Sequence, residues 1–544
     1  MDPQQSIQDW LQNYGGPSVT PAWILCDRHL TAPDSSAIRY EDDEGTQLSK
    51  SFRELHELSS RLAGFLSSQG VKQGDRVAGL LPKGIELVVT TLAVWRLGGV
   101  YVPLFTAFGP QGIAYRTDMS RTKVLITDDA NRSKLEELSP ASRNRMQIVT
   151  VSSRRQPDLA GGEHSFWSSL EKASPIVEST PVRGEDPLIL IFTSGTTGNP
   201  KGVPVPIKGL ASFEAYMRFG LDVRKEDVYW NMADPGWAYG LYYNLVGPLL
   251  LGKPILFYNA SFTPEKAYSF MDRYGVTNFA SAPTAYRALK AAGPDLVDRY
   301  PPRLRVASSA GEPLNPEVIE WARAHFGIPI HDHYGQTELG MVINNHHHPD
   351  LQSELKSGSM GQTMPGFRMV VLDESAQEVA PRTEGQLAVD TQASPLLWFK
   401  GYWEDDAKTS QRYTDDGRYC LTGDTVSYEE QGFFFFSGRS DDIILSAGYR
   451  IGPFEVESAL MEHPSVAETA VIGVPDELRG EIVKAYVVLH SEQEGTEELA
   501  EELRMLVKRQ LAKHAYPRII AFVDELPKTP SGKIQRFLLR QKDA

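Results

Sequence analysis

Ten residues, TSGTTGNPKG, run from Thr193 to Gly202 and hold three glycines, four hydroxyl side chains and one lysine. They follow the apolar run Leu188 to Phe192, so a strand empties into a Gly/Thr-rich loop. Glycine exposes backbone N–H groups, Ser and Thr hydroxyls donate to phosphate oxygens, and a lysine adds a mobile positive charge. Thr193, Ser194, Gly195, Thr196, Thr197, Gly198 and Lys201 are therefore candidate phosphate ligands. The loop fails the Walker A pattern, because Pro200 stands where the second glycine is required and Gly202 where Ser or Thr should follow the lysine. The dinucleotide fingerprint G-x-G-x-x-G is absent too.

Four further stretches carry chemistry. Tyr334-Gly335-Gln336-Thr337-Glu338 sets a threonine beside a carboxylate, which suits a phosphate and a Mg²⁺ ion. Asp424 in Thr422-Gly423-Asp424 offers a carboxylate to ribose hydroxyls. Gly438-Arg439-Ser440-Asp441-Asp442 puts an arginine at the joint between the two parts, and Lys533 sits on the tight turn PKTPSGKI. Any one of these could be an ordinary turn; five in this order do not arise by chance.

The elements that must position them alternate. Helical periodicity spans Arg53 to Ser68 and Gly84 to Leu97. Strand patterns cover Asp75 to Leu81, Val100 to Leu104, Lys123 to Thr127 and Met146 to Val151. Short buried strands follow at Pro254 to Tyr258, Thr277 to Ala280, Leu304 to Ser308 and Ile328 to Ile330. Strands separated by helices predict βαβ units, hence an α/β fold with a mainly parallel sheet. After Gly438 the texture changes to a smaller α+β pattern, with helices at Pro453 to Met461 and Glu497 to Leu511. Residues 1–438 are expected to form the large N-terminal domain, 439–442 a hinge and 443–544 a small C-terminal domain.

Composition bounds the function. The 544 residues exceed one ordinary core. Hydrophobic residues make up 41% and charged residues 23%, a globular balance. A net charge of −15 with no long basic run argues against nucleic acid as a partner. Two cysteines, Cys26 and Cys420, make no metal-ligand spacing and fit a reducing, cytoplasmic setting. The start MDPQQSIQDWLQ lacks the basic and apolar regions of a signal peptide. Leu241 to Ala260, the most apolar stretch, is broken by Gly247, Pro248, Lys253 and Pro254 and is expected to be buried strand and turn, with no membrane involvement.

With SSAGEPL (Ser308 to Leu314), GRSDDIILSAGYRIGPFEVE (Gly438 to Glu457) and PKTPSGKIQR (Pro527 to Arg536), these motifs closely resemble the adenylate-forming superfamily of acyl-CoA synthetases, adenylation domains and luciferases. The resemblance covers about residues 50 to 540 and is nearest to acetyl- and medium-chain acyl-CoA synthetases. It implies a large domain of parallel-sheet subdomains with a β-barrel-like subdomain, and a small C-terminal domain that rotates between two half-reactions. It also implies ATP, Mg²⁺, coenzyme A and a small carboxylic acid as cofactors and substrates, in a monomer or homodimer.

Carried over by motif, Thr193 to Lys201 would cradle the β- and γ-phosphates. Gly311, Glu312 and Pro313 would flank the adenine. Asp332, His333, Tyr334, Gly335, Gln336 and Thr337 would line the base and α-phosphate. Glu338 would bind Mg²⁺, Asp424 and Arg439 the ribose, and Lys533 would bridge carboxylate and α-phosphate. Asp441 matches the hinge residue. Ala447, Gly448, Tyr449 and Arg450 match the segment lining a pantetheine tunnel, and Arg479 and Tyr516 match CoA contacts in medium-chain relatives.

The same resemblance implies an acyl pocket lined by Trp237, Ala238, Tyr239, Ala310, Gly335 and Gly340. Small residues at Ala238, Ala310 and Gly335 predict a cavity larger than acetate needs, each added methylene contributing about 0.8 kcal/mol. Tyr239 is larger than the threonine usual there. A short- or medium-chain acid, branched or aromatic forms included, is thus expected, and Gly335→Trp is expected to shift preference towards acetate or propionate. Acetyl-CoA synthetase proper, an enzyme loading a protein thiol, and a silent nucleotide-binding protein are the competing readings. His346-His347-His348 is expected to be a surface turn, Phe433 to Phe436 a strand on the hinge region, and Glu494 to Arg504 a solvated helix face.

Overall fold

In the computed structural model, residues 2–543 are described except 153–162, 194–199, 447–448, 477, 491–492, 512–514 and 530–532, and the side chain of Arg450. The first half is organised by a seven-stranded sheet. Its strands lie in the spatial order His164–Ser165, Gln147–Val151, Val124–Asp128, Arg76–Leu80, Val100–Pro103, Pro187–Thr193 and Lys201–Pro206. All neighbours pair in parallel except the last two, which form an antiparallel pair. Val124, Leu125 and Ile126 are fully buried, as expected where helices cover both faces of a parallel sheet.

One covering helix, Phe52–Ser68, begins in a reciprocal cap: the Ser51 hydroxyl accepts from the Glu54 N–H, and the Glu54 carboxylate accepts from the Ser51 N–H. It buries Phe52, Leu55, Leu62, Phe65 and Leu66, a helical spacing. A second helix, Ile85–Arg96, is apolar all round and buried nearly throughout. Its final Arg96 is fully buried and donates to both Asp27 carboxylate oxygens at 2.8 and 2.7 Å, so the charge is paired rather than stranded.

A ten-stranded sheet positions most of the remaining motifs. Tyr229–Asn231, Asn278–Ser281, Val306–Ala310 and Ile330–Gln336 are parallel. Gly340–Asn344 then turns back, and the sheet continues antiparallel through Ser359–Thr363, Phe434–Arg439, Tyr419–Tyr428, Gly385–Asp390 and Met369–Leu372. This antiparallel half is continuous with the parallel half in one ten-stranded sheet. A three-stranded sheet joins Ile255–Asn259, Ser36–Asp42 and Gln47–Ser51.

The C-terminal part has its own five-stranded sheet. Tyr449–Ile451, Ile444–Ser446, Gly480–Leu489 and Val466–Asp476 follow one another, and Ile519–Phe522 pairs with Gly480–Leu489. The helix Pro453–Met461 lies where the sequence placed it, and Glu497–Gln510 buries only Ala500, Leu503 and Val507 from its charged run.

Two expectations need correction. Leu241 to Ala260 is not strand and turn throughout: Leu241–Val246 is a π-type turn and Gly247–Leu251 an α-helix before the strand Ile255–Asn259. The helical part is buried on every side, so its apolar run carries no period to distinguish it from a strand. Pro248 occupies the first turn of that helix and Gly252, at φ +65°, ends it. Likewise, His346 and His347 are buried rather than on a surface turn. His347 Nε2 lies 3.0 Å from Ser308 Oγ, and its ring stacks on His331 at 3.7 Å between centroids. No helix among the described residues is long and apolar enough to cross a membrane.

Candidate active site

One cavity of about 890 Å³ collects residues from both parts of the chain. Strand ends supply its first wall. Thr193 ends its strand and pairs with Lys201, which opens the next. The loop residues Ser194, Gly195, Thr196, Thr197 and Gly198 lie outside the described residues, but both their anchors line the cavity. Lys201 Nζ stands 5.0 Å from the Tyr402 ring centroid. Burial lowers its pKa while the Glu338 carboxylate opposes that shift.

Glu338 sits in the turn between Ile330–Gln336 and Gly340–Asn344 and is buried. The Tyr402 hydroxyl donates to Glu338 Oε1 at 2.8 Å, and Tyr242 OH donates to the Thr337 carbonyl at 3.1 Å. Gln336 Nε2 donates to Asp424 Oδ2 at 2.8 Å and to the Thr422 carbonyl at 2.9 Å. Arg412 Nη2 donates to Gln336 Oε1 at 2.9 Å, and the Tyr334 hydroxyl donates to Asp424. Arg439 Nε lies 3.5 Å from Asp424 Oδ1. Burial raises the Asp424 pKa, and Arg439 is the largest influence opposing it.

Gly311 follows the strand Val306–Ala310 at φ +109°, a conformation that favours glycine. It lines the cavity with Glu312 and Pro313, and Arg287 Nη2 lies 3.4 Å from Glu312 Oε2. Asp332 Oδ2 accepts from the Leu314 N–H at 3.2 Å, and burial pushes the Asp332 carboxyl up to about 8. The buried Oδ1 has no hydrogen-bond partner among the described residues.

The deep end is aromatic and small. Trp237 packs on Phe105 and Phe108 at 5.2 and 5.4 Å between centroids. Ala238, Tyr239, Ala310, Gly335 and Gly340 line the same cavity. Gly335, however, does not simply leave room. A Cβ there would lie 2.2 Å from the Gly340 carbonyl oxygen and 2.6 Å from Met341 Sδ, at an irregularity in the strand register. The expectation that a tryptophan would just fill pocket space is therefore revised: any side chain at 335 must first part the two strands.

Lys533, from the C-terminal part, lines this cavity too. Its N–H donates to Thr529 Oγ1 at 3.1 Å, and Lys528 pairs with Ile534 across the turn. Arg536 holds the turn's far side, donating to Glu457 at 2.7 and 2.9 Å, and Arg540 contacts Asp442. Asn315 Nδ2 donates to Ser458 Oγ at 3.4 Å, tying the two parts. Asp441 is exposed beside Arg439, with Oδ1 3.7 Å from Arg439 Nε. Phe436, on the strand Phe434–Arg439, lies 6.3 Å between ring centroids from Phe454 of the helix Pro453–Met461.

The remaining expected residues form a different group. Ala447 and Gly448 lie outside the described residues, as does the Arg450 side chain. Tyr449 is exposed, and the Ser446↔Gly480 pairing sets Arg479 beside this hairpin. Tyr516 is half-buried under Lys508 and Arg518. None of Tyr449, Arg479 and Tyr516 lines the cavity. Tyr402 and Arg412 are among the lining residues that the motifs did not single out. Neither belongs to a recognisable pattern; only the fold brings them against Glu338 and Gln336.

Residues 27–403 match the family model described as AMP-binding enzyme, and residues 455–533 match that described as AMP-binding enzyme C-terminal domain. The chain is 35% identical over 534 residues to acetyl-coenzyme A synthetase of Bacillus subtilis (strain 168), covering 96% of this chain and 90% of that protein. It is 37% identical over 530 residues to 4-hydroxybutyrate–CoA ligase 1 of Metallosphaera sedula, with the same coverage, 96% and 90%. Among solved structures, the acyl-CoA synthetase of Brucella canis is similar at TM-score 0.79 and 49% identity, covering 100% of this chain and 97% of that one.

Proposed function

Because the chain belongs to the AMP-binding enzyme family, whose ligases form an acyl-adenylate and then a CoA thioester, we propose a division of labour among its cavity residues, acting on a short- or medium-chain carboxylic acid. The observation that carries it is the meeting of Lys533 with Lys201, Gln336, Glu338 and Asp424 on one cavity. A carboxylate is a poor acyl donor because its leaving group would be oxide. Attack of the carboxylate on the α-phosphate of ATP replaces that group with AMP and releases pyrophosphate. The protein must bring two anions together in line and neutralise the charge that develops.

Lys533 reaches in from the C-terminal part to the carboxylate and α-phosphate. Thr193 and Lys201 flank the loop that grips the departing pyrophosphate. Asp424, oriented by Tyr334 and Gln336, takes the ribose hydroxyls with Arg439 beside it. Gly311, Glu312 and Pro313 flank the adenine. Glu338 fits Mg²⁺, being a single buried carboxylate next to the phosphate loop's lysine, and the ion when bound would neutralise phosphate charge. Trp237, Ala238, Tyr239 and Ala310 shape the acyl end.

CoA then attacks the adenylate. We assign the hairpin at Tyr449, with Ala447, Gly448 and Arg450, and the adjacent Arg479 to CoA, with Tyr516 on the same part. Tyr449, Arg479 and Tyr516 stand away from the cavity in this arrangement, so the C-terminal part must turn about residues 439–442, with Asp441 as the pivot, before the thiol step. The test is pyrophosphate release with ATP and a panel of C2 to C10, branched and aryl acids, with and without CoA. Acid-dependent release with thioester formation supports the assignment; a CoA-independent burst without thioester points to a protein thiol, and no release with any acid refutes a ligase.

A further inference from the structure

The wall around Tyr239 has a hydrogen-bond direction that the protein itself sets. His333 Nε2 lies 3.0 Å from the Asn345 carbonyl oxygen. A carbonyl only accepts, so Nε2 carries the ring proton. Burial holds the His333 pKa well below its ordinary value, so the ring is neutral and Nδ1 is a bare acceptor. The Tyr216 hydroxyl lies 2.8 Å from that Nδ1 and donates to it.

Tyr216 is fully buried and has one proton to give. Its oxygen stands 3.0 Å from the Tyr239 hydroxyl and must accept there, so Tyr239 donates inward. The Tyr239 oxygen, at the end of this relay and on a residue lining the cavity, is left with acceptor lone pairs alone. An acceptor on the ligand could pair with Tyr239 only by pulling its proton away and stranding the buried Tyr216 oxygen, which is costly. A donor costs the relay nothing.

We propose that Tyr239 is a specificity-determining hydrogen-bond acceptor that selects carboxylic acids bearing a hydroxyl on the acyl chain over their oxo and unsubstituted counterparts. This rests on the acyl-CoA ligase assignment above. It also accounts for a bulky tyrosine in a pocket otherwise opened by small residues: the ring spends volume to place an oriented oxygen.

The experiment compares kcat/KM for CoA-dependent pyrophosphate release with matched hydroxy, oxo and unsubstituted acids of four to six carbons, in the wild type, Tyr239→Phe and Tyr216→Phe. The wild type is expected to favour the hydroxy acid roughly three- to tenfold at its best chain length, the worth of one hydrogen bond. Tyr239→Phe should bring the hydroxy-to-unsubstituted ratio near one. Tyr216→Phe frees the Tyr239 proton and should move the advantage towards the oxo acid, a change of sign that loss of packing would not produce. Release with no hydroxyl preference at any length, or a preference that survives Tyr239→Phe, overturns this inference and leaves the ligase assignment standing. Absence of release with every acid overturns both.

Discussion

Tyr402→Phe isolates one oxygen atom. The phenol donates to Glu338 Oε1 at 2.8 Å, and both residues are buried. Phenylalanine keeps the ring under Lys201, whose Nζ stands 5.0 Å from the centroid, so the packing and the cation–π contact persist. What disappears is a neutral donor to a charged acceptor, worth about 1.5–3 kcal/mol. If that hydrogen bond aims Glu338 during adenylation, kcat/KM for ATP should fall roughly tenfold to a hundredfold, at about 1.4 kcal/mol per tenfold. ATP–pyrophosphate exchange at saturating acid reads this directly. Thioester formation from preformed acyl-adenylate, which releases no pyrophosphate, should change little. A loss below twofold in exchange, or an equal loss in both half-reactions, would refute the role given to Tyr402.

Lys533→Ala is expected to lower adenylation by orders of magnitude while the thioester half-reaction from preformed adenylate largely survives; parallel rate measurements on the two steps decide it. Gly335→Ala should destabilise by about 1–3 kcal/mol, because its Cβ would meet the Gly340 carbonyl at 2.2 Å. Thermal melting checks this, and an unchanged Tm would show that the two strands part freely. Asp332 binds its proton more tightly folded, at about 8, than in the unfolded chain near 3.8. Its contribution to stability is therefore full at low pH and is lost as pH rises towards 8, by at most about 1.4 kcal/mol per unit. Asp332→Asn has no such proton, so its Tm relative to wild type should improve steadily from pH 5 to 8; a pH-independent difference would contradict a raised Asp332 pKa.

Much of the frame was legible because local chemistry dictates it. Val124 to Ile126 and Leu188 to Phe192 are short apolar runs with β-branched residues, and they became strands of the seven-stranded sheet. The helix Pro453–Met461 carries a proline at its first turn and was placed to the residue. The failures share a cause. Leu241 to Leu251 is surrounded by protein on all sides, so burial erased the amphipathic period that distinguishes helix from strand. His346 and His347 look like a polar turn in sequence, yet both are buried, and the Ser308 hydroxyl and the ring of His331 absorb the polarity of His347.

The sequence by itself determined the chemistry: a Gly/Thr loop with a lysine, a Thr–Glu pair, and carboxylates and cations in a specific order can serve one nucleotide. Such motifs are short because each function needs adjacent residues on one turn. Tertiary structure alone decided which residues from distant segments complete them. Tyr402 reaches Glu338 across 64 positions, and Tyr216 reaches His333 across 117. It also decided that Gly335 is a close approach of two strands rather than an open space. Hydrogen-bond direction and steric exclusion depend on atoms brought within about 3 Å of each other, and no spacing along the chain encodes that distance.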